Sequence, residues 1–434
     1  MKKTFNSAMC FMATVALSLG FASCDSSDDP DESTVVNASE LESVSKTYVN
    51  DVVYPTYQAL AENCKTLNEA CTTLYQHAVA GSMTQSDVDA ACEAFKNARR
   101  EWERSEAFLY GAATDNEIDP HIDSWPLDHK QLVDALNNKE LLAGIHGTSA
   151  AQFVYEKQGD FESVIGFHGL EFVLFRDGKN RTVEALSTTD TESGMTSVNG
   201  IDELAFAAAV SGDIRNMTSL LYYGWTADAT TGSWLTSNCK WVLEGTKHNG
   251  LSSANIGYGQ FLLNATGDNA YFPTWQETLE NILVGGCSNI CQEVYTQKLG
   301  QAYNVATTGV ENDEQSADYI ESPYSKRSFI DYQDNIYSIK NVLYGTRDID
   351  ATTPVANSPM MIMQKYEYTG YSKLSTALTD AIAALQVAID SKVAFVDAPG
   401  DTRVKTCIKK INELDEELNN AGTWFRKIKV KIAQ

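Results

Sequence analysis

Residues 164–175 read "VIGFHGLEFVLF", an almost wholly apolar stretch interrupted only by His168 and Glu171. Wound as a helix, this stretch is apolar all round, and a helix without a polar face belongs in a core. His168 and Glu171 then share one face, with side-chain bases about 5 to 6 Å apart. That spacing lets both reach one cation, as histidine and carboxylate pairs do inside helical bundles, and it equally lets them satisfy each other. Glu171 cannot be buried alone, so it requires a cation, an arginine or a proton. Gly166 and Gly169 each cost roughly 1 kcal/mol against alanine in a helix, which points to close backbone packing.

The same helical periodicity runs outward in both directions. Tyr57, Leu60, Cys64, Leu67, Cys71 and Leu74 recur at steps of three and four, on a helix that Pro55 is placed to start. Phe95, Ala98, Trp102 and Leu109 form a second stripe, with Glu106 inside it and Gly111 as the expected stop. Residues 274–303, 326–345 and 371–395 supply further helices. No period-two run marks a strand. Loops are expected at 115–130, at 176–200 and over the Gly, Asn and Ser-rich stretch 226–273. Residues 92–111 and 326–345 both end in "LYG", an echo suggesting a duplicated bundle.

Acids outnumber bases 58 to 33, for a formal charge of -25, and no basic patch interrupts the body of the chain. A phosphate backbone would be repelled, so nucleic acid is excluded as a partner. Lys2 and Lys3 precede an apolar run from Ala8 to Ala22, which suits an export signal. "FASC" then places Cys24 where bacterial lipoproteins are cut and lipidated. The expectation is a signal peptide over 1–23 and a flexible acidic tether over 24–40, holding the protein to the outer membrane at the cell surface or on the periplasmic face. Seven cysteines remain after Cys10 and Cys24, an odd number that argues against a complete disulfide framework. Cys287 and Cys291 stand four apart without matching partners, a poor zinc pattern.

Other polar groups enter helical stripes. Glu106 points inward on its own helix, with Arg99 and Arg104 as nearby partners, and Asp128 lies beside the Pro126 turn. Ser328, Asp331, Asn335 and Ser338 draw a polar line along an otherwise apolar helix. Four motifs in order, "REWERSEAFLYG", "DSWPLD", "GFHGLE" and "ESPYSKRSFIDYQDNIYSIKNVLYG", resemble the imelysin family, also known as imelysin-like or insulin-cleaving peptidases, which has lipoprotein members linked to iron uptake. The resemblance covers about residues 52–396. It implies an all-α fold over 41–434, with two pseudo-repeated antiparallel helical bundles, about 41–225 and 226–434, packed together around or beside a site. It also implies a metal site, iron favoured, with His168, Glu171, Glu103, Glu106 and Asp128 as ligands, and iron or haem uptake partners. A zincin peptidase needs HExxH, and the chain has none. A metal-binding protein of iron acquisition is therefore the leading expectation. A metallopeptidase with Glu171 as base, and a non-catalytic ligand-binding module, are the alternatives.

Overall fold

The computed structural model describes residues 34–161, 164–190, 198–245, 256–265, 270, 272–312 and 315–431. Tyr57, Leu60, Cys64, Leu67, Cys71 and Leu74 are buried along the helix Tyr54–Val79, as their spacing requires. Pro55 does not start this helix. Helix Ala38–Thr47 and the π-helical turn Tyr48–Val53 run directly into it. Proline has no N–H and crowds the preceding turn, so the chain widens there, and the Tyr54 N–H donates to Val49 O five residues back.

Thr84 and Asp87 cap the next helix, Gln85–Glu103, reciprocally. It ends at Glu103 rather than at Gly111, and the tight turn Glu106–Phe108 follows. Gly111, at φ +63°, opens the short helix Ala112–Asp115 instead. The second "LYG" does end its helix, Ser328–Tyr344, with Gly345 at φ +70° as the left-handed cap. The two triplets thus occupy different structural places, and the sequence echo does not mark equivalent turns.

Gly200–Thr226 is buried along most of its length and packs on Tyr54–Val79, Ala150–Glu156 and Gly166–Leu174. Tyr371–Asp390 and Thr402–Lys427 pack on each other. Ser328–Tyr344 bridges the two groups, touching Tyr371–Asp390 on one side and Gln85–Glu103 on the other. That bridging helix brings the late part of the chain onto the acidic early helix.

Short strands do occur. β1 (Val35–Asn37) pairs in parallel with β4 (Lys429–Lys431), Val35 opposite Lys429 and Asn37 opposite Lys431, while β2 (Phe175–Arg176) and β3 (Lys179–Asn180) form a small antiparallel pair. Runs of two or three residues are too short to show alternation. β1 and the start of the helix Ala38–Thr47 fall inside the stretch 24–40 expected as a tether, so its residues from Val35 on are folded. The expected signal peptide and Cys24 lie outside the described residues. The stretch 226–273 holds the helices Ala229–Asn238, Lys240–Gly245 and Tyr258–Leu262, the first capped by Asp228, which accepts from the Thr231 N–H.

Cys64, Cys71, Cys92, Cys239, Cys287, Cys291 and Cys407 are all free thiols and all buried. Burial pushes Cys64, Cys71 and Cys407 up to about 12. Among the described residues, no helix is long and apolar enough to cross a membrane.

Candidate metal centre

Every residue of the helix Gly166–Leu174 is buried, as its all-round apolarity demands. Gly166 adopts φ +81°, and a Cβ there would stand 2.2 Å from Ile122 O. This backbone contact sets the residue after Ile122, Asp123, against the start of the helix. The His168 Nε2 lies 3.0 Å from Asp123 Oδ1, an ion-pair contact between two buried groups.

Arg99 is the hub of the site. Its guanidinium pairs with Asp123 and Glu321 through Nη1 and Nη2, meets Glu103 Oε1 at 2.6 Å, and has Asp331 Oδ2 3.9 Å from its Nε. Trp102 Nε1 donates to the other Asp123 oxygen at 2.8 Å. Lys298, 1% exposed at the end of the π-helical turn Val294–Lys298, lies 3.2 Å from Glu321 Oε2 and 3.5 Å from Glu106 Oε1. Sequence spacing offered Arg99 and Arg104 to Glu106. The fold gives Glu106 to Lys298 instead and sends Arg104 to Asp334 Oδ1 at 2.7 Å.

The polar line 328–338 is buried and faces this cluster. Asn335 Nδ2 donates to Glu103 Oε2 at 2.6 Å, Ser338 Oγ accepts from the Ala107 N–H at 3.0 Å, Ser328 donates to Glu321 O, and Ser322 donates to Asp331. Glu171 points elsewhere. Its Oε1 accepts from Ser325 N at 2.7 Å and Ser325 Oγ at 2.6 Å, while Oε2 has no hydrogen-bond partner. His168 and Glu171 therefore share a helix face without sharing a centre: His168 meets Asp123, and Glu171 holds the segment that carries Glu321.

Asp128 is exposed and caps the helix His129–Asn137, accepting from Gln131 N at 2.9 Å. It is not among the clustered acids. The ligand-ready aspartate of "DSWPLD" is the first one, Asp123. Replacing Asp128 with alanine is expected to cost about 1 kcal/mol of stability, the usual loss for a cap, and to leave metal content unchanged. Urea melts and elemental analysis of the variant check both.

Burying these acids sets their protonation. Burial pushes Glu103 and Glu106 well above the usual carboxylate range, against the pull of Arg99 and Lys298 respectively. Asp119 rises to about 7 through burial and then through Asp123 and Glu293. Burial would raise Asp123 as well, but Arg99 and then His168 outweigh it and hold Asp123 below the usual range. Glu103, Glu106, Asp123, Glu321 and Asp331 outnumber the cations facing them, Arg99, Lys298 and the half-buried Arg327 beside Asp331. Either protons or a further cation must make up the difference.

The residues fit a cation. Asp123, His168 and Glu321 each offer an atom, all within 4.8 Å of one another, and Glu103, Glu106 and Asp123 form a second such group. His168 Nε2 and Glu321 Oε2 are buried against charged partners, Asp123 Oδ1 at 3.0 Å and Lys298 Nζ at 3.2 Å, contacts that an ion held here would share or replace. One imidazole with carboxylates suits first-row divalent metals such as iron, manganese or zinc. Asp123 and Glu321 open two of the quoted motifs, "DSWPLD" and "ESPYSKR", but no helical period singles them out as ligands, and Lys298 lies at a helix end outside those motifs.

The fold and site define an all-helical protein in which one late helix closes over an acidic early helix around a buried imidazole and carboxylate cluster. The imelysin family profile matches residues 53–421, and the chain belongs to that family. It is similar to iron-regulated protein A of Synechococcus elongatus, with 33% identity over 128 residues, which is 30% of each protein. The chain thus spans under a third of that relative's length in the match. A solved structure of a candidate iron-regulated protein A precursor from Parabacteroides distasonis is 25% identical, with a TM-score of 0.71 over 91% of this chain and 98% of that one. An imelysin-like protein from Psychrobacter arcticum, 13% identical, shares the fold with a TM-score of 0.52 over 92% and 99% of the two chains.

Proposed function

We propose that this protein is a lipid-anchored, metal-binding imelysin that takes part in iron acquisition, held at the outer membrane through Cys24. Asp123, His168 and Glu321 bind the ion, and Glu103 and Glu106 border it and tune its charge. Arg99 and Lys298 keep the carboxylates in place, and Glu171 fixes the Glu321 segment through Ser325. When bound, the metal supplies the positive charge that the cluster of acids lacks. The proteins named iron-regulated among the relatives favour iron, and iron or haem uptake proteins are the natural partners.

The observation that carries this reading is the convergence of Asp123, His168 and Glu321, buried side chains that each offer an atom within 4.8 Å of the others. Protein purified without chelator or immobilised nickel is expected to hold about one iron per chain. Glu321→Gln and His168→Ala should lose most of it, and both should remain folded by circular dichroism. Wild-type protein that carries no metal, and whose melting temperature does not move with added iron, manganese or zinc, would sink the reading.

A further inference from the structure

A half-buried aromatic pair packs beside the buried cluster. The Trp125 and Tyr319 rings stack with centroids 4.0 Å apart and planes 40° apart, and both residues are half-buried. On the inner side, the Trp125 ring stands 6.3 Å from the His168 ring and 6.0 Å from Lys298 Nζ. Their neighbours in the chain, Pro126, Ala317 and Asp318, are exposed. Trp125 follows Asp123 by two residues, and Tyr319 precedes Glu321 by two. Each ring therefore rides on the segment that carries one of the two carboxylates, so parting the stack also shifts those carboxylates. The inner face of Trp125 already takes a cation, the Lys298 ammonium, as the electron-rich face of an indole favours.

We propose that Trp125 and Tyr319 form a gate that sets how fast a metal ion enters and leaves the Asp123, His168 and Glu321 centre, an inference that rests on the metal reading above. The gate separates rate from affinity. The ligand atoms set how tightly the ion is held, and the stacked rings set how often the centre opens to water.

The test loads wild type, Trp125→Ala, Tyr319→Ala and Trp125→Phe with ferrous iron under anaerobic conditions. Release to a chromogenic ferrous chelator is followed by stopped flow, and uptake by quenching of tryptophan emission. Both alanine variants are expected to release and take up iron at least about tenfold faster, with affinity held within about threefold, and Trp125→Phe should fall between them and wild type. Affinity that falls in step with faster release while uptake stays at the wild-type rate would mean that the rings only support packing, and the gate is wrong. Wild-type rates in both alanine variants would also overturn the gate and leave the metal reading standing. Should Trp125→Ala fail to fold, Tyr319→Ala and Trp125→Phe decide between the same outcomes. If wild-type protein holds no iron, the metal reading fails and the gate falls with it.

Discussion

Replacing Arg99 with methionine is expected to destabilise the protein by about 3–5 kcal/mol, the cost of removing one partner from a buried ion network. Arg99 faces Asp123, Glu103, Glu321 and Asp331, all nearly inaccessible to water. Methionine fills a similar volume, so the loss comes from stranded carboxylates rather than from a cavity. Lysine should restore only part of the stability, because an ammonium is a point charge and cannot present the planar fork that reaches Asp123 and Glu321 together. Combining Arg99→Met with Glu321→Gln should cost less than the sum of the two changes, since the second removes one of the acids stranded by the first. Urea denaturation of the four proteins measures this. An Arg99→Met variant within about 1 kcal/mol of wild type would show that the acids are already neutralised by protons and that the network contributes little.

A second large effect is expected at Gly166. Alanine there would meet Ile122 O at 2.2 Å and Ile122 C at 2.4 Å, and it would have to hold φ +81°. Backbone cannot swing away as a side-chain tip can. Overpacking against fixed atoms costs about 1–3 kcal/mol, and the left-handed backbone adds about 1–2 kcal/mol for a residue with a Cβ. A total near 3 kcal/mol is the expected loss in urea denaturation. Because the contact also sets Asp123 beside His168, Gly166→Ala should lower metal content in the fraction that folds. A variant with wild-type stability and full metal content would mean that the contact relaxes freely and does not position Asp123.

The helical class was legible because amphipathic stripes such as 57–74 announce themselves at the right period. Two of the longest helices escaped that test. Gly200–Thr226 is buried on most sides and shows no stripe, and Thr402–Lys427 was not singled out although it carries one. At the centre, helical patterns pointed to His168 and Glu106 and the family resemblance to Glu103, and the fold brings all three to the cluster. The sequence could not choose between the two aspartates of "DSWPLD", because a turn has no period and burial there depends on the Gly166 contact. Glu321 opens a quoted motif, yet no period marked it as a ligand, since the fold of the segment before helix Ser328–Tyr344 brings it to Arg99. Glu171 shares the face of His168, yet the direction it takes was settled by Ser325, a partner 154 residues away in sequence.

The seven sealed thiols of the described residues are shielded from oxidants while the protein is folded. Disulfide exchange proceeds through thiolate, and groups held near 12 supply almost none at neutral pH. A maleimide dye would accordingly act as a stopwatch for opening around the seven described cysteines, since none of these becomes reachable until the interior around it comes apart.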